Sequence, residues 1–365
     1  MLNKISLSLM LLIASTLTFA DEVQVKPDSP DKYVVVKGDT LWGISGRFLT
    51  QPWRWPEIWK GNPQIADPNL IYPGDVVSLS YENGSPVLSV SGGGSVSGAA
   101  GDRNVKLSPE VRTGPRDDAI PTIPIEAIRE FLSRPLVMKE GEMDSWPYVV
   151  SSYDQHLVNG TGSRIYVKGL TGNDRRYTLY RKGPAYRNKA DGRLLGYEAL
   201  YVGDARVEKF GDPATMTITH SDREVLEGDR MVPQSRAEIS SDFIPRAPSK
   251  NVEGSIISVI DGLSQIGQYQ VVVLDVGSNN GVEVGNVLGV FQSGKVVTDD
   301  AAIRQMKESA LAEWLALSKH HGAKVTLPEE YSGVIMVFRT FPEVSYALVM
   351  EVTSALKLSD TVRNL

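Results

Sequence analysis

The chain has 365 residues, of which 41% are hydrophobic and 22% charged, and its formal net charge at pH 7 is −6. This composition is enough for two or three folded domains with ordinary hydrophobic cores. The absence of cysteine excludes disulfides, an N-terminal lipid on cysteine and any enzyme with a thiolate nucleophile. The negative net charge argues against nucleic acid and anionic membrane surfaces as partners.

Residues 1–20 have the features of a signal peptide. Lys4 precedes an apolar run from Ile5 to Leu17 that is too short to span a bilayer, and small residues precede Asp21 at the positions a signal peptidase reads. We predict cleavage after Ala20. No later stretch is long and apolar enough for a membrane helix, so we expect an exported, periplasmic protein without a membrane span.

Residues 33–50 predict a strand followed by a helix. The strand consists of the β-formers from Tyr33 to Val36, and the turn at residues 37–39 ends it with Gly38 where positive φ is favourable. An apolar stripe with helical spacing then predicts a helix over about 40–49. Either Asp39 or Thr40 is expected to accept a hydrogen bond from its first free N–H groups.

Residues 51–80 predict a second helix and a closing strand. Pro56 suits the first turn of a helix that carries Ile58 and Trp59, and residues 61–63, Gly-Asn-Pro, end it. The last strand is built on residues 76–79, after a turn at 72–75. The order of elements is therefore strand, helix, helix, strand.

Residues 33–80 resemble a LysM domain, a βααβ module that binds peptidoglycan and chitin, over nearly its whole length. The matching residues are 36–42 with Ile44, the central Asn62-Pro63, and the exit 69–75. The resemblance implies a shallow groove for a glycan that contains N-acetylglucosamine, between the loop after the first strand and the loop before the last. The implied glycan-binding residues are Gly38, Asp39, Thr40, Leu41, Trp42, Asn69, Leu70, Ile71, Tyr72 and Pro73.

The aromatic residues of this module have two interpretations. A domain of this size has a small core, so Trp42, Trp55 and Trp59 are expected in the core rather than as platforms for sugar rings. Tyr72 fits either role. Asp39 is expected to act as a helix cap, so that its loss would weaken binding through the fold.

The rest of the chain is predicted to be a linker followed by β-rich domains, which makes the overall class α+β. Residues 81–122 are rich in Gly, Ser and charged residues and predict a flexible linker. Residues 124–132 predict a short helix at the start of a β-rich domain at 123–250. A second β-rich domain at 251–365 is expected to contain one inserted helix at about 300–320.

A weak internal repeat is visible in these β-rich domains. Segments that begin at Gly196, Gly254 and Gly333 each open with a strand and close on a small turn, at residues 227–229, 284–286 and 358–360. The similar spacing suggests repeated small barrels or sheets. Chance similarity among strands rich in Val and Gly is the alternative.

The succession of signal peptide, LysM module, Gly/Ser linker and β-rich domain resembles the type IV pilus secretin-associated LysM proteins. The last domain of that family is similar to the C-terminal domain of a flagellar T-ring protein. The resemblance implies a noncatalytic adaptor that anchors an outer-membrane secretin to the cell wall. A component of another envelope complex, such as a flagellar ring, is the alternative, followed by an accessory to a peptidoglycan hydrolase.

An enzyme is the competing class of function. The four histidines form no H-x-H or HExxH pattern, so no zinc site is predicted, and the G-x-S-x-G pattern of serine hydrolases is missing. A pair of catalytic carboxylates stays open, because the spacing that matters is spatial. We predict no catalytic residue, no metal and no cofactor.

Overall fold

The computed structural model describes residues 22–59, 70–91, 119–133, 136–153, 158–234, 243–260, 265–292, 294, 296–299 and 324–365. The predicted signal peptide, most of the predicted linker and the predicted helix at about 300–320 lie outside these residues. No helix within the described ranges is long and apolar enough to cross a membrane.

The first folded unit is the predicted module with one additional strand. Its elements are β1 (Lys32–Val34), α1 (Leu41–Phe48), a 3₁₀ helix (Pro52–Arg54), α2 (Trp55–Ile58), β2 (Val76–Glu82) and β3 (Ser85–Ser91). The three strands form an antiparallel sheet in the order β1-β2-β3. Residues of both helices and of all three strands share one buried core.

The additional strand corrects the first part of the predicted linker. Residues 81–91 are not a linker, since β2 continues to Glu82 and β3 pairs with it along its whole length. Asn83 and Gly84 connect the strands with positive φ of 52° and 87°. An Asn-Gly pair with two positive φ angles favours the tight hairpin turn whose twist matches that of the strands. Leu88 and Val90 of β3 are buried in the core of the unit.

A second unit begins with helix α3 (Ile125–Ser133), close to the predicted bounds of 124–132. A 3₁₀ helix (Glu142–Ser145) follows β4. The strands are β4 (Leu136–Met138), β5 (Tyr148–Ser152), β6 (Arg164–Lys168), β7 (Arg176–Arg187), β8 (Leu194–Lys209), β9 (Ala214–Ser221) and β10 (Arg230–Pro233). They form a seven-stranded sheet in the order β4-β8-β7-β10-β5-β6-β9, and β8 also pairs with β9. Six of the strands therefore close on themselves around one hydrophobic core.

The third unit is a closed barrel in the order β11-β13-β18-β17-β14-β20. Its strands are β11 (Glu253–Val259), β13 (Val271–Leu274), β14 (Val287–Gln292), β17 (Glu330–Thr340), β18 (Ser345–Val352) and β20 (Thr361–Arg363). A 3₁₀ helix (Ser278–Asn280) lies between β13 and β14. Two short antiparallel pairs accompany the barrel, namely β12 (Gln265–Ile266) with β19 (Leu356–Lys357) and β15 (Val296–Thr298) with β16 (Lys324–Thr326).

Strand β13 and most of β18 in the barrel are buried on both faces. Along β13, Val272 and Leu274 belong to the barrel's own core, whereas Val271 and Val273 belong to a second buried cluster. A strand buried on both faces has a continuous apolar sequence, as seen in β13. The second cluster, which we call the junction cluster, contains Trp42, Ile123, Ile128, Tyr186, Leu195, Phe243, Val271, Val273, Val287, Val334, Met336, Phe338, Val344, Tyr346, Leu348 and Met350.

The three segments of the predicted repeat lie in two different units and do not each form a barrel or sheet of their own. The segment from Gly196 belongs to the seven-stranded sheet, whereas those from Gly254 and Gly333 contribute together to the barrel of the third unit. Sequence spacing alone does not determine which strands pair, because pairing depends on contacts between distant residues.

The three closing turns nevertheless share one local structure. The residue just before each turn donates its backbone N–H to the side chain of the last residue of the turn. The middle residue of the turn has a positive φ, which is 87°, 90° and 74° in the three turns. The same turn occurs twice in the first unit, where the side chains of Asp39 and Asp75 accept the hydrogen bond. In the β units the hydrogen-bonded pairs are Leu226 with Asp229, Glu283 with Asn286 and Lys357 with Asp360, at 2.8 Å each.

Candidate functional site

The first wall of the predicted groove is a turn that its own side chains hold closed. Asp39 accepts hydrogen bonds from the N–H of Val36 at 2.9 Å and from the hydroxyl of Tyr33 at 3.0 Å. Thr40 is the N-cap of α1 and accepts from the N–H of Gly43 at 3.0 Å. Of the two alternatives open in the sequence, Thr40 therefore caps the helix and Asp39 stabilises the preceding turn. Gly38 supplies the positive φ, 95°, that this turn requires.

The second wall has a matching turn at residues 72–75. The buried carboxylate of Asp75 accepts from the N–H of Tyr72 at 3.1 Å, and Gly74 has a positive φ of 96°. Val35 connects the end of β1 to this turn, donating its N–H to the carbonyl of Asp75 and accepting from the N–H of Gly74, both at 2.8 Å. Leu70 and Tyr72 are half-buried and Pro73 is exposed, whereas Asn69 lies outside the described residues.

Asp39 and Arg47, two charged residues beside the groove, contact the side chain of Tyr33. Burial and the hydrogen bond to Asp39 raise the pKa of Tyr33 above its ordinary value, and the guanidinium of Arg47 lies 4.4 Å from the centre of the Tyr33 ring. Among the described residues, no group of three or more His, Cys, Asp or Glu side chains is arranged to hold a metal. The walls therefore offer backbone polar groups and apolar side chains, which suit an uncharged sugar that carries amide and methyl groups.

The three tryptophans of the module are buried in two different places. Trp55 and Trp59 contact each other edge to face, with ring centroids 5.6 Å apart, in the core of the first unit. Trp42 is also buried, but it belongs to the junction cluster and lies against Trp53 with centroids 6.2 Å apart. The predicted burial of the three side chains agrees with the structure, although Trp42 belongs to a cluster that also includes residues of the other units.

A segment of the same chain crosses the groove from one wall to the other. The N–H of Ile120 donates to the carbonyl of Ile71 in the second wall at 2.8 Å. The carbonyls of Pro121 and Thr122 accept from the N–H groups of Leu41 and Trp42 in the first wall, both at 3.0 Å. These two N–H groups belong to the first turn of α1 and have no partner within the helix. Residues 120–122 thus bond to both predicted walls.

Sequence reasoning missed this segment because it was assigned to the linker. Residues 119–125, Ala-Ile-Pro-Thr-Ile-Pro-Ile, contain no charge, unlike the residues before them. Pro121 and Pro124 prevent a helix and favour an extended backbone in the residues before them. An extended apolar stretch of this kind signals a segment that packs against another surface, and Ile120 and Ile123 are indeed buried.

The order of strands and helices and the two loop walls define a small binding module. Residues 33–80 match the LysM domain family. The chain therefore contains a LysM domain, which indicates a role in binding peptidoglycan or another glycan that contains N-acetylglucosamine. This match covers a small part of the 365-residue chain. No curated protein matches the chain.

The substitution Asp39→Ala tests whether this carboxylate acts through the fold. It removes the acceptor for Val36 and Tyr33, and we expect the domain to lose about 0.5–1.5 kcal/mol of stability, the net contribution of a hydrogen bond whose groups water can reach. Binding to sacculi should fall in proportion to the unfolded fraction, as measured by thermal unfolding and cosedimentation. Asp39→Asn keeps an acceptor oxygen and should retain most of the stability and most of the binding to sacculi. Full stability of Asp39→Ala with lost binding would instead identify Asp39 as a direct ligand.

Proposed function

We propose that this protein is a noncatalytic, periplasmic adaptor that binds peptidoglycan through its LysM domain. The observation that carries the proposal is the match of residues 33–80 to the LysM family, together with the groove's backbone groups. The N–H groups of Leu41 and Trp42 and the carbonyl of Ile71 supply two donors and one acceptor across the groove. The acetamide of N-acetylglucosamine offers the complementary carbonyl and N–H.

The β units are proposed to bind the second partner, an outer-membrane secretin of the type IV pilus, so that the protein anchors the secretin to the cell wall. Two closed β units in addition to the glycan-binding domain are consistent with an adaptor between two large structures. Another envelope ring, such as that of the flagellum, is the alternative partner. A ring of many subunits would bind several adaptor copies, and avidity would then strengthen weak binding to the glycan.

The proposal is tested by cosedimentation with insoluble peptidoglycan sacculi. The chain without residues 1–20 is compared with a deletion that begins at Gly92, which removes the whole first unit including β3. We expect the longer chain to sediment with sacculi and the deletion to stay in the supernatant. Muropeptides released into the same supernatants are measured by chromatography, and none are expected.

Two outcomes would contradict the proposal. Released muropeptides would indicate an enzyme, for which an acidic pair in the β units would be the first candidate. Undiminished sedimentation of the deletion would place glycan binding in the β units. In cells, the same deletion should leave the protein with its secretin partner but release both from the cell wall.

A further inference from the structure

We propose that residues 120–122 are an internal ligand of the LysM groove, which the glycan must displace in order to bind. This inference rests on the proposed function, namely that the groove between residues 38–42 and 70–73 is the glycan site. The carbonyls of Pro121 and Thr122 occupy the two donors of the first wall, and the N–H of Ile120 occupies the acceptor in the second. A glycan that uses the same backbone groups cannot bind while these three bonds persist.

The segment and the expected glycan present the same chemical group. A peptide bond and the acetamido group of N-acetylglucosamine are both secondary amides, with one carbonyl acceptor and one N–H donor. The apolar side chain of Ile120 is buried in the LysM core, where it offers the contact that a sugar's methyl group or ring face would make. In the absence of glycan, the segment therefore supplies hydrogen-bond partners and an apolar contact to the groups that line the groove.

The sequence of the segment suits this role. Pro121 has no N–H, so its backbone accepts a hydrogen bond in the groove without leaving a donor that needs a partner. Pro124 favours an extended conformation in the residue before it and begins the turn that leads into α3. The groove is thus occupied by an extended strand-like stretch rather than by a helix.

The segment is held at both ends, which connects the groove to the barrel. Thr122 and Ile123 are buried, and Ile123 packs in the junction cluster with Trp42. Downstream, the guanidinium of Arg339 in β17 donates to the carbonyls of Phe131 and Leu132 at the end of α3, at 3.2 and 3.3 Å. A positive charge at the C-terminus of a helix is favourable. Displacement of residues 120–122 by a glycan would therefore disturb the contact between α3 and the barrel.

A disulfide that locks the segment in the groove provides the test. The N–H of Ile120 donates to the carbonyl of Ile71, and both side chains are buried in the same core, so cysteines at these positions lie next to each other when the segment is docked. Formation of the disulfide is confirmed by mass spectrometry before binding is measured. The double variant Ile71→Cys/Ile120→Cys adds two cysteines to a chain that has none. Binding of β-1,4-linked N-acetylglucosamine oligomers is measured by calorimetry on the full chain without residues 1–20, before and after reduction.

We expect the oxidised variant to bind at least about tenfold more weakly than the same protein after reduction, since affinity scales with the fraction of open groove. Wild-type protein should be unaffected by the reductant. Equal affinity of the oxidised and reduced variant would overturn the inference, because a locked segment would then leave the site open.

A second variant opens the groove. Ile123→Asp places a charge in the junction cluster when the segment is docked and in water when it is released, so we expect several-fold tighter binding than wild type. The matched control is Val150→Asp, which adds the same charge at an exposed position of β5 and should not change the affinity. If Ile123→Asp binds no better than Val150→Asp, the segment does not compete with glycan. If neither of these variants nor wild type binds, the groove is not a glycan site, and the proposed function fails as well.

Discussion

Replacement of Trp55 by alanine is expected to unfold the LysM domain and abolish cosedimentation with sacculi. Trp55 is 1% exposed and is among the largest fully buried side chains of the structure, in a core that also contains Trp59 and Phe48. Truncation of a buried aromatic residue to alanine costs about 3–5 kcal/mol. A domain of this size with no disulfide has a net stability of about the same magnitude. The loss therefore removes most or all of the stability of the unit.

Trp146→Ala is the control for this experiment. Trp146 is half-buried in the second unit, with its ring 6.4 Å from that of Tyr180, and it packs against a cluster separate from the LysM core. We expect it to reduce the stability of the second unit while binding to sacculi persists. In calorimetric scans, the unfolding transition of the LysM domain should be absent from Trp55→Ala and present in Trp146→Ala. Intact binding by Trp55→Ala would mean that recognition does not require the folded groove.

The first unit follows from its sequence because its determinants are local. The stripe of Leu41, Ile44 and Phe48 predicts α1, and all three side chains are buried in the core. The Gly-Asp turns are also local, since Gly supplies the positive φ and the Asp side chain accepts an N–H three residues earlier. The closing turns at residues 227–229, 284–286 and 358–360, which the weak internal repeat predicted, use the same local hydrogen bond, with Asn286 or Ser359 in place of the usual Asp or Gly. Each of these features depends on residues within one turn of the chain.

The parts that the sequence did not predict depend on distant partners. The Asn83-Gly84 pair is a local signal for a hairpin, but the strand β3 that follows it leads directly into a stretch rich in Gly and Ser, and that composition predicts a linker. The strand is stable because Leu88 and Val90 pack in the LysM core against residues that are distant in sequence. In the same way, residues 120–122 have no local partner, and only the folded domain offers the free N–H groups of α1. The closure of the barrel from strands on either side of residues 300–323 likewise has no local signal.

Substitution of Gly277 by alanine is expected to destabilise the barrel strongly. A β-carbon at this position would lie 2.2 Å from the carbonyl oxygen of Phe341 and 2.7 Å from the backbone N of Val344. Both obstacles are backbone, so no side-chain rotation relieves the clash. The residues around it are also tied together, since Ser278 donates its N–H to the carbonyl of Phe341 at 2.8 Å. Overpacking costs about 1–3 kcal/mol when side chains can adjust, and we expect the upper end or more here.

Gly267→Ala is the matched control, because a β-carbon there meets no atom within 4 Å and its φ is not in the left-handed region. It should leave the unfolding temperature of the barrel nearly unchanged, whereas Gly277→Ala should lower it by about 10 °C or more. In the adaptor proposed here the glycan is bound by a separate unit, so Gly277→Ala should still sediment with sacculi while losing its secretin partner. If Gly277→Ala loses binding to sacculi as well as binding to the secretin, the stability of the LysM domain depends on the barrel through the junction cluster. Equal stability of the two alanine variants would show that residues 341–344 yield to the added methyl group.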